Sequence, residues 1–386
     1  MKFFIDFATG SLNKHGEELC GDKVEFFNGE ESFIAVLSDG LGSGVKANIL
    51  ATLTAKIAMT MLKEGLALEE AVDTIIHTLP ICSVRKLAYS TFTIVKVDKS
   101  GMVYIAEFDN PNVFFIREDK VCELQGQTKE INGRLIKESQ FVLQEKDTLV
   151  FVSDGVIHAG VGMVLNLGWS WVEVANYLQE LGVCRQSAKK ITAALLGVCE
   201  DLYINQPGDD TTVVTLQAIM PKEAILFSGP PKDSENDEVI IRDLMQSKGK
   251  KIICGGTAAN IAARILGREI KTSIEIIDRS IPPIGYIEGI DLVTEGVLTI
   301  GAATQKLERL QRSNDLDILY GEDGASKLAR MLFEECTHIK FLVGQAINPA
   351  HQNPDFPDTL SIKLNVLKRL QTVLEALGKV VTIAYY

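Results

Sequence analysis

Five aspartates in this sequence sit where a carboxylate could be put to use: Asp22, Asp39, Asp154, Asp209 and Asp210. Asp39 follows the apolar run Phe33-Ile34-Ala35-Val36-Leu37 and lies inside Ser38-Asp39-Gly40. Asp154 repeats the arrangement after Leu149-Val150-Phe151-Val152, inside Ser153-Asp154-Gly155. Asp22 follows Cys20-Gly21, and Asp209-Asp210 follows Pro207-Gly208 at the mouth of a Thr-rich run. Hard divalent cations such as Mg²⁺ and Mn²⁺ take oxygen ligands, few side chains and several waters. Carboxylates at the edge of a sheet meet that need. Two such ions close together can share a bridging water, lower its pKa and offset charge on a phosphoryl oxygen. A glycine beside a ligand lets a backbone carbonyl approach an ion that a side chain would obstruct.

Taken one at a time, Asp-Gly and Pro-Gly-Asp-Asp are ordinary turns. A turn does not require two apolar strands to end in the same Ser-Asp-Gly, nor an acidic pair entering a third strand. The set is more specific than its members. His158, just past Asp154, could donate a proton to a leaving group, although a loop histidine is the simpler reading. Asn110, in Asp109-Asn110-Pro111, reads as readily as a turn residue.

The elements that must position these groups follow from periodicity. Lys2 to Ala8 reads as a strand, Thr9 to Gly21 as a loop, and Lys23 to Phe27 as a strand joined through Asn28-Gly29 to Phe33–Leu37. Past Gly44 a long helix is predicted, with Val45, Ile49, Leu53, Ile57 and Met61 on one apolar face and Leu50, Ala58 and Leu62 beside them. Leu68 to Leu79 reads as a second helix, stopped by Pro80. Ser90–Val97, Met102–Phe108, Val113–Ile116, Phe141–Leu143 and Thr148–Val152 read as hairpin-linked strands, so the sheet is antiparallel. Gly168–Leu181 and Ser187–Leu202 read as helices, and Thr211–Ile219 as a last strand. The boundary falls at Pro221, giving domains of residues 1–220 and 221–386. The predicted fold class is α+β: an antiparallel β-sandwich flanked by helices, α-β-β-α, followed by a smaller α/β domain.

In the second domain, Ser228-Gly229-Pro230-Pro231-Lys232-Asp233 reads as a linker. Helices are predicted over Glu238–Gln246, Gly255–Leu266, Gly296–Leu310, Ala325–Cys336 and Leu360–Leu377. Strands are predicted over Lys251–Cys254, His338–Val343 and Lys379–Tyr385. Cys254-Gly255-Gly256-Thr257 is a strand end, a glycine pair and a helix start. It could hold an anion on free backbone N–H groups, but a tight turn needs glycine anyway. It is neither a Walker loop nor a full dinucleotide fingerprint. The stretch around Pro282-Pro283 carries no clear period, and Ile347-Asn348-Pro349 reads as a bend.

The whole chain bounds these readings. A length of 386 residues favours two domains, and 46% hydrophobic with 23% charged residues is a globular composition. A formal net charge of -12 without a basic stripe argues against a nucleic-acid partner. The seven cysteines are odd in number and form no Cys-x-x-Cys pair, so neither a disulfide framework nor a zinc site is expected. The N-terminus does not read as a signal peptide, and no uncharged stretch reaches the length of a membrane span. A cytoplasmic protein with no membrane partner is the expectation.

Several motifs now stand in one order: Gly21-Asp22; Leu37-Ser38-Asp39-Gly40-Leu41-Gly42-Ser43-Gly44 with Ala47 behind it; Val152-Ser153-Asp154-Gly155-Val156; and Gly208-Asp209-Asp210-Thr211-Thr212. This order resembles the metal-dependent serine/threonine phosphatases of type 2C, and most of all the bacterial branch named after stage II sporulation protein E. The resemblance covers roughly Met1 to Met220. It implies two antiparallel sheets between helices, with two Mn²⁺ or Mg²⁺ ions at one edge. It implies hydrolysis of phosphoserine or phosphothreonine on a protein partner in bacterial signalling. Asp39 would bridge the two ions, with Gly40 adding its carbonyl. Asp154 and Asp209 would complete the second-ion side, and Asp22 would act near the first. Asp210 matches a position next to a ligand. Asp39, Asp154 and Asp209 would be the catalytic set, the nucleophile being the bridging water. Eukaryotic members hold the phosphate with an arginine near the N-terminus. No such arginine can be placed here, so phosphate binding is unassigned. The rival reading is a signalling or binding module, its phosphatase-like part a scaffold and its second domain taking a phosphate-bearing ligand or a protein partner.

Overall fold

The apolar runs before the two Ser-Asp-Gly tripeptides do not alternate, because each strand is covered on both faces. In the computed structural model, which describes residues 3–78, 90–272, 281–313, 315–346 and 359–386, Phe33, Ala35 and Leu37 pack into a core shared with a second sheet. Ile34 and Val36, of opposite parity, pack under helices. The chain divides into two compact units, Met1–Met220 and Pro221–Tyr386.

The first unit runs β1 (Phe4–Leu12), β2 (Asp22–Asn28), β3 (Ser32–Gly40), α1 (Gly44–Lys63), α2 (Leu68–Thr78), β4 (Ser90–Asp98), β5 (Met102–Phe108), β6 (Phe114–Arg117), β7 (Lys120–Cys122), β8 (Gly126–Ile131), β9 (Arg134–Val142), β10 (Thr148–Val152), the one-turn α3 (Asp154–Ile157), α4 (Trp171–Leu181), α5 (Ala188–Leu202) and β11 (Thr211–Ile219). One sheet has the order β1-β11-β10-β6-β7 and the other β2-β3-β4-β5-β9-β8. Neighbouring strands are antiparallel throughout. The two sheets enclose Phe33, Leu37, Val95, Ile105, Phe115, Phe151 and Leu216. Helices α4 and α5 cover one outer face and α1 and α2 the other. This is the expected α-β-β-α sandwich.

Helix α1 corrects the periodicity argument. Val45, Ile49 and Leu53 are 62%, 59% and 42% exposed, so the first half of the predicted apolar face points outward, while Ile57 and Met61 are half-buried against the core. The buried face is Ala47, Ala51, Thr54, Ala55, Ala58, Met59 and Leu62. Small side chains let the helix axis lie close to β2 and β3, and close approach decides the packing here. By length and composition alone this 20-residue helix could also cross a membrane, and 44% of its apolar window is buried inside the unit. Other boundaries moved as well. Strand β1 continues to Leu12, because residues 9–12 pair with Thr211–Val214 of β11. Strands β7 and β8 and most of β9 carry little apolar alternation and were not expected; β8 is an exposed edge reading Gly-Gln-Thr-Lys-Glu-Ile. Pro80 lies outside the described residues.

The second unit runs β12 (Glu223–Ser228), α6 (Asn236–Gln246), β13 (Lys250–Cys254), α7 (Gly256–Leu266), β14 (Lys271–Thr272), β15 (Gly285–Tyr286), β16 (Leu292–Thr294), α8 (Val297–Arg312), α9 (Gly324–Glu334), β17 (His338–Val343), α10 (Thr359–Ala376) and β18 (Val380–Tyr385). The sheet order is β14-β15-β16-β13-β12-β17-β18, with β16 through β18 parallel. Ser228 does not open a linker. It ends β12, the middle strand of the parallel set, and Gly229-Pro230-Pro231 is the turn out of it. The Pro282-Pro283 stretch leads into β15 and β16, too short to show a period. The bend at Ile347-Asn348-Pro349 lies outside the described residues.

Candidate active site

Strand parity carries the core of the sandwich into the site. Leu37 faces the inner core, so Asp39 does too; Val24 and Phe26 face it, so Asp22 does. On the opposite sheet Phe151 leads to Ser153 and Val214 to Thr212. On β1, Ile5 and Phe7 lead to Thr9 and Ser11. At one end of the sandwich the inner layer thus changes from apolar to polar. The floor of the site is Thr9, Ser11, Asp22, Asp39, Ser153 and Thr212.

Asp22 and Asp39 are direct cross-strand partners in the β2–β3 hairpin. Like charges placed opposite each other repel. Asp22 is 6% exposed, and neither carboxylate oxygen has a hydrogen-bond partner. The Thr212 and Ser153 hydroxyls lie near enough to favour its charge, but Thr212 Oγ1 bonds Ser11 Oγ at 2.8 Å and Ser153 Oγ accepts the Thr212 N–H at 2.8 Å. Burial dominates and pushes the Asp22 carboxyl up to about 7. Asp39 is pushed up to about 9, first by burial and then by the charges of Asp22, Asp154, Asp209 and Asp210. Asp154 is the first residue of α3, with Ser153 as its N-cap. Its carboxyl is raised by burial and by Asp209, and drawn down by His158 and by a hydrogen bond with Asp39. Asp209 lies half exposed, with Oδ1 3.7 Å from Lys14 Nζ.

Asp210 is placed differently. Its Oδ1 accepts the Lys14 N–H at 3.0 Å and its Oδ2 accepts the Gly21 N–H at 2.8 Å. Both oxygens are engaged in pinning the Asn13–Gly21 loop to the start of β11. The glycines are where backbones meet. A Cβ on Gly40 would overlap the Ala47 carbonyl of α1, and one on Gly155 would overlap the Asp210 carbonyl. Gly40 is therefore required for α1 to reach the strand that carries Asp39. Asn110 is braced, with its Oδ1 accepting from Thr91 Oγ1 at 2.5 Å and its Nδ2 donating to Thr93 Oγ1 at 3.1 Å. His158 is exposed, and its N–H closes α3 on the Asp154 carbonyl at 3.0 Å.

Sequence reasoning missed the residues that hold this frame. Ser90 Oγ donates to the Asp39 carbonyl at 2.9 Å and meets Ser38 Oγ at 2.5 Å. Tyr203 Oη donates to the Gly155 carbonyl at 2.7 Å, and Asn48 Nδ2 to the Cys20 carbonyl at 2.8 Å. Lys14 brings the one cation bonded to an aspartate of the set among the described residues. It stands 195 positions from Asp209 in an unpatterned polar loop, so no local signal marks it. The repeated Ser of Ser-Asp-Gly was the available signal for the bracing hydroxyls.

Among the described residues, no three His, Cys, Asp or Glu side chains gather closely enough to cage an ion by themselves. A Mg²⁺-type site does not need such a cage, because that ion keeps most of its waters and takes one or two carboxylates. The donor set suits it: Asp22 has two buried oxygens without partners, and Asp39 is strained by four like charges. A cation would relieve both, and the residues fit one.

A family model for stage II sporulation protein E matches residues 29–218. The stage II sporulation protein E of Bacillus subtilis (strain 168) is 26% identical over 160 residues, which are 39% of this chain and 19% of that protein. The match therefore spans about a fifth of the relative's length. The solved phosphatase domain of the Bacillus subtilis protein overlays with a TM-score of 0.45 at 20% identity, over 57% of this chain and 94% of that one. The PP2C domain of SiaA from Pseudomonas aeruginosa overlays at 0.44 with 17% identity, over 54% of this chain and 85% of that one. The N-terminal unit, roughly half of the chain, thus carries a domain of the stage II sporulation protein E type.

Proposed function

We propose that the first unit hydrolyses phosphoserine or phosphothreonine on a protein substrate, with two divalent ions, Mn²⁺ or Mg²⁺, as cofactors. One observation carries the reading. Asp22, Asp39, Asp154 and Asp209 come from opposite sheets and separate loops, yet the charges of the other three all reach Asp39 and help raise its carboxyl. Holding like charges together costs stability unless something positive joins them. Asp39, facing both Asp22 and Asp154, would hold both ions with the Gly40 carbonyl. Asp154 and Asp209 would serve one ion, and Asp22 the other. Bound there, the ions would supply a bridging water of lowered pKa and positive charge opposite the phosphoryl oxygens.

The chain's own groups do the rest. Lys14 Nζ, 3.7 Å from Asp209 Oδ1, would pair with a phosphate oxygen brought to the aspartates. His158, one turn past Asp154 and exposed, can give a proton to the departing seryl or threonyl oxygen. Ser90 and Tyr203 fix the backbone around Asp39 and Asp154, so that the carboxylates stay in place through turnover. Asp210 keeps the Lys14 loop closed on the site.

The test is hydrolysis of p-nitrophenyl phosphate and of phosphopeptides by the full chain in Mn²⁺ or Mg²⁺. Activity should vanish in EDTA and in Asp39→Asn or Asp154→Asn. Full activity in EDTA, or none on phosphopeptides in either metal, would overturn the reading.

A further inference from the structure

Strand register extends the floor of the aspartate site sideways. Thr91 of β4 is the cross-strand partner of Asp39, and Thr93, Glu107 and Lys137 face one another in turn across β4, β5 and β9. All four have the inward parity of Val95, Ile105 and Phe141. Asn110 bridges the two threonines, accepting from Thr91 Oγ1 and donating to Thr93 Oγ1. Glu107 Oε1 accepts the Val113 N–H at 2.7 Å, and its Oε2, 3.7 Å from Lys137 Nζ, is buried without a hydrogen bond. Lys137 Nζ donates to Asn112 Oδ1 at 3.1 Å. A row of polar side chains thus runs from Asp39 to Lys137 across three strand steps. At about 4.8 Å per step and two residues along the strand, Lys137 stands about 16 Å from Asp39, the reach of about five extended residues.

At the end of that row lies a groove of about 790 Å³, lined by Lys137, by β7 and the start of β8, and by α4. Its size falls within the range of about 300–1,000 Å³ in which proteins take ligands. Strand β7 is the last of its sheet, so its outer edge has no strand partner. The Val121 N–H on that edge is bonded by a side chain, Gln179 Oε1 at 3.0 Å. Trp171 forms a fixed wall. Its ring stacks on Phe114 at 4.7 Å, and its Nε1 donates to the Asn112 carbonyl at 2.8 Å. Val172 beside it lines the groove and is exposed.

The lining selects an extended polypeptide. Four amide side chains, Asn112, Gln125, Asn176 and Gln179, each offer both a donor and an acceptor, which is the pairing a peptide main chain needs. The two charged side chains of the lining, Glu123 and Lys137, are opposite in sign, so the groove makes no demand for an anion. A strand edge without a strand partner can bond an added extended segment through its main chain. The groove is also continuous with the aspartates. Asp39, Thr91, Asn110, Asn112 and Lys137 are all partly or fully exposed, so a chain held at Asp39 has an open polar path to it.

We infer that this groove seats the extended chain of the phosphoprotein substrate about five residues from the phosphorylated residue, the amides on its main chain and Trp171 and Val172 against its side chains. The inference takes its ligand from the hydrolase reading above, on which it rests, and adds where the flanking segment of that ligand lies.

The probes are a phosphoserine peptide mixture with about six randomised residues on each side, enough chain to reach the groove, and the same mixture cut to one residue a side. In Mn²⁺ the full chain should hydrolyse the long mixture with kcat/KM about tenfold or more above the short one. Asn176→Trp sets a large ring in the groove from an exposed position on α4. It should abolish that advantage and leave hydrolysis of p-nitrophenyl phosphate unchanged, which also shows that the variant is folded. In EDTA, with turnover stopped, the long mixture should alter the tryptophan fluorescence of wild type but not that of Trp171→Phe, and the short mixture should alter neither. A rate indifferent to peptide length, or an advantage that survives Asn176→Trp, would overturn the inference while the hydrolase reading stands. So would a long mixture that leaves the wild-type fluorescence unmoved, a measurement that needs no variant to fold. A length-dependent fluorescence change with no hydrolysis in either metal would instead overturn the hydrolase reading and retain the groove as a peptide site.

Discussion

Asp39 and Asp154 lie close enough for the charge of one to raise the carboxyl of the other, although their strands lie in opposite sheets. The two Ser-Asp-Gly tripeptides are thus not neighbours along one sheet edge. They close the same end of the sandwich from its two sides. Asp39 reaches the shared space by strand parity, opposite Asp22, and Asp154 reaches it from the first turn of α3. The repeat in sequence is a meeting of two layers in space.

This arrangement separates folding from function at Asp39. In EDTA, Asp39→Asn removes a buried carboxyl that four other aspartates oppose. The variant should melt no lower than wild type, and about 2–5 °C higher near neutral pH, the shift expected for roughly 1 kcal/mol in a unit of this size. The same variant should lose all metal-dependent hydrolysis. Calorimetry of both proteins with and without Mn²⁺ measures the two effects, and a melt several degrees below wild type in EDTA would count against the strained cluster.

The cluster also sets the pH dependence of the metal-free protein. The Asp39 carboxyl is raised from 3.8 to about 9 and that of Asp22 from 3.8 to about 7. Between the unfolded and folded values the folded state holds more protons than the unfolded one, so stability falls as pH rises. The contribution is complete below pH 3.8 and is lost as pH passes through about 7 and then about 9. In EDTA the unfolding midpoint of the first unit should therefore decline from pH 6 to pH 9. Saturating Mn²⁺ should flatten or reverse that trend, since bound cations favour the charged carboxylates. A midpoint in EDTA that climbs over this range would contradict the assignment.

Gly40 and Gly155 should be intolerant of even one methyl group, because the atoms they touch are backbone. Gly40→Ala would have to move α1 off β3 at Ala47, and Gly155→Ala would have to move the Asp210 carbonyl. Each should cost about 1–3 kcal/mol, as overpacking does. Gly16→Ala, with φ +87° and open space around it, should cost about 1 kcal/mol, the price of the left-handed backbone alone. Urea melts of the three variants give the comparison.

Much of this was legible in the sequence, for identifiable reasons. The aspartates could be grouped because each followed an apolar run or a glycine, and the sandwich because hairpins outnumbered crossovers. Helix α1 was misjudged because periodicity ranks Val45 and Ile49 above Ala47 and Ala51, whereas the close approach at Gly40 selects the small face. Strand β8 was missed because an exposed edge needs no apolar alternation, and β12 because Gly229-Pro230-Pro231 masked the end of a central strand. Lys14 had no signal at all. Its position depends on Asp210 holding the loop, a contact visible only once β11 is in place.

Lys14 should matter to substrate and not to stability. Its pair with Asp209 is partly exposed, with side chains 36% and 47% accessible, so the Coulomb energy is screened and the pair contributes about 0–1 kcal/mol. Lys14→Met should leave the urea midpoint nearly unchanged, because the backbone N–H that Asp210 accepts is retained. It should raise KM for a phosphopeptide several-fold with a smaller change in kcat, as expected when a ground-state phosphate contact is lost. Steady-state kinetics in Mn²⁺ separate the two parameters. An unchanged KM would leave Lys14 as a partner of Asp209 alone.

Ser153 should show the reverse pattern, acting on stability first. It is fully buried, and although it stands at the N-cap position of α3 its hydroxyl makes no cap bond and instead accepts the Thr212 N–H at 2.8 Å across the five-stranded sheet. In Ser153→Ala that buried N–H keeps no acceptor, a loss of about 1–3 kcal/mol. The Asp22 carboxyl would also lose a nearby hydroxyl that favours its charge, so its pKa should climb further. Less carboxylate at neutral pH means weaker cation binding, so the variant should need a higher Mn²⁺ concentration for half-maximal activity. Raising the pH toward 9 should recover part of that deficit if Asp22 ionisation is the cause, because deprotonation restores the ligand. A deficit that stays constant with pH would instead place the effect in the geometry of α3 and Asp154. Mn²⁺ titrations of activity at pH 7 and pH 9, run on wild type and variant together, distinguish the two.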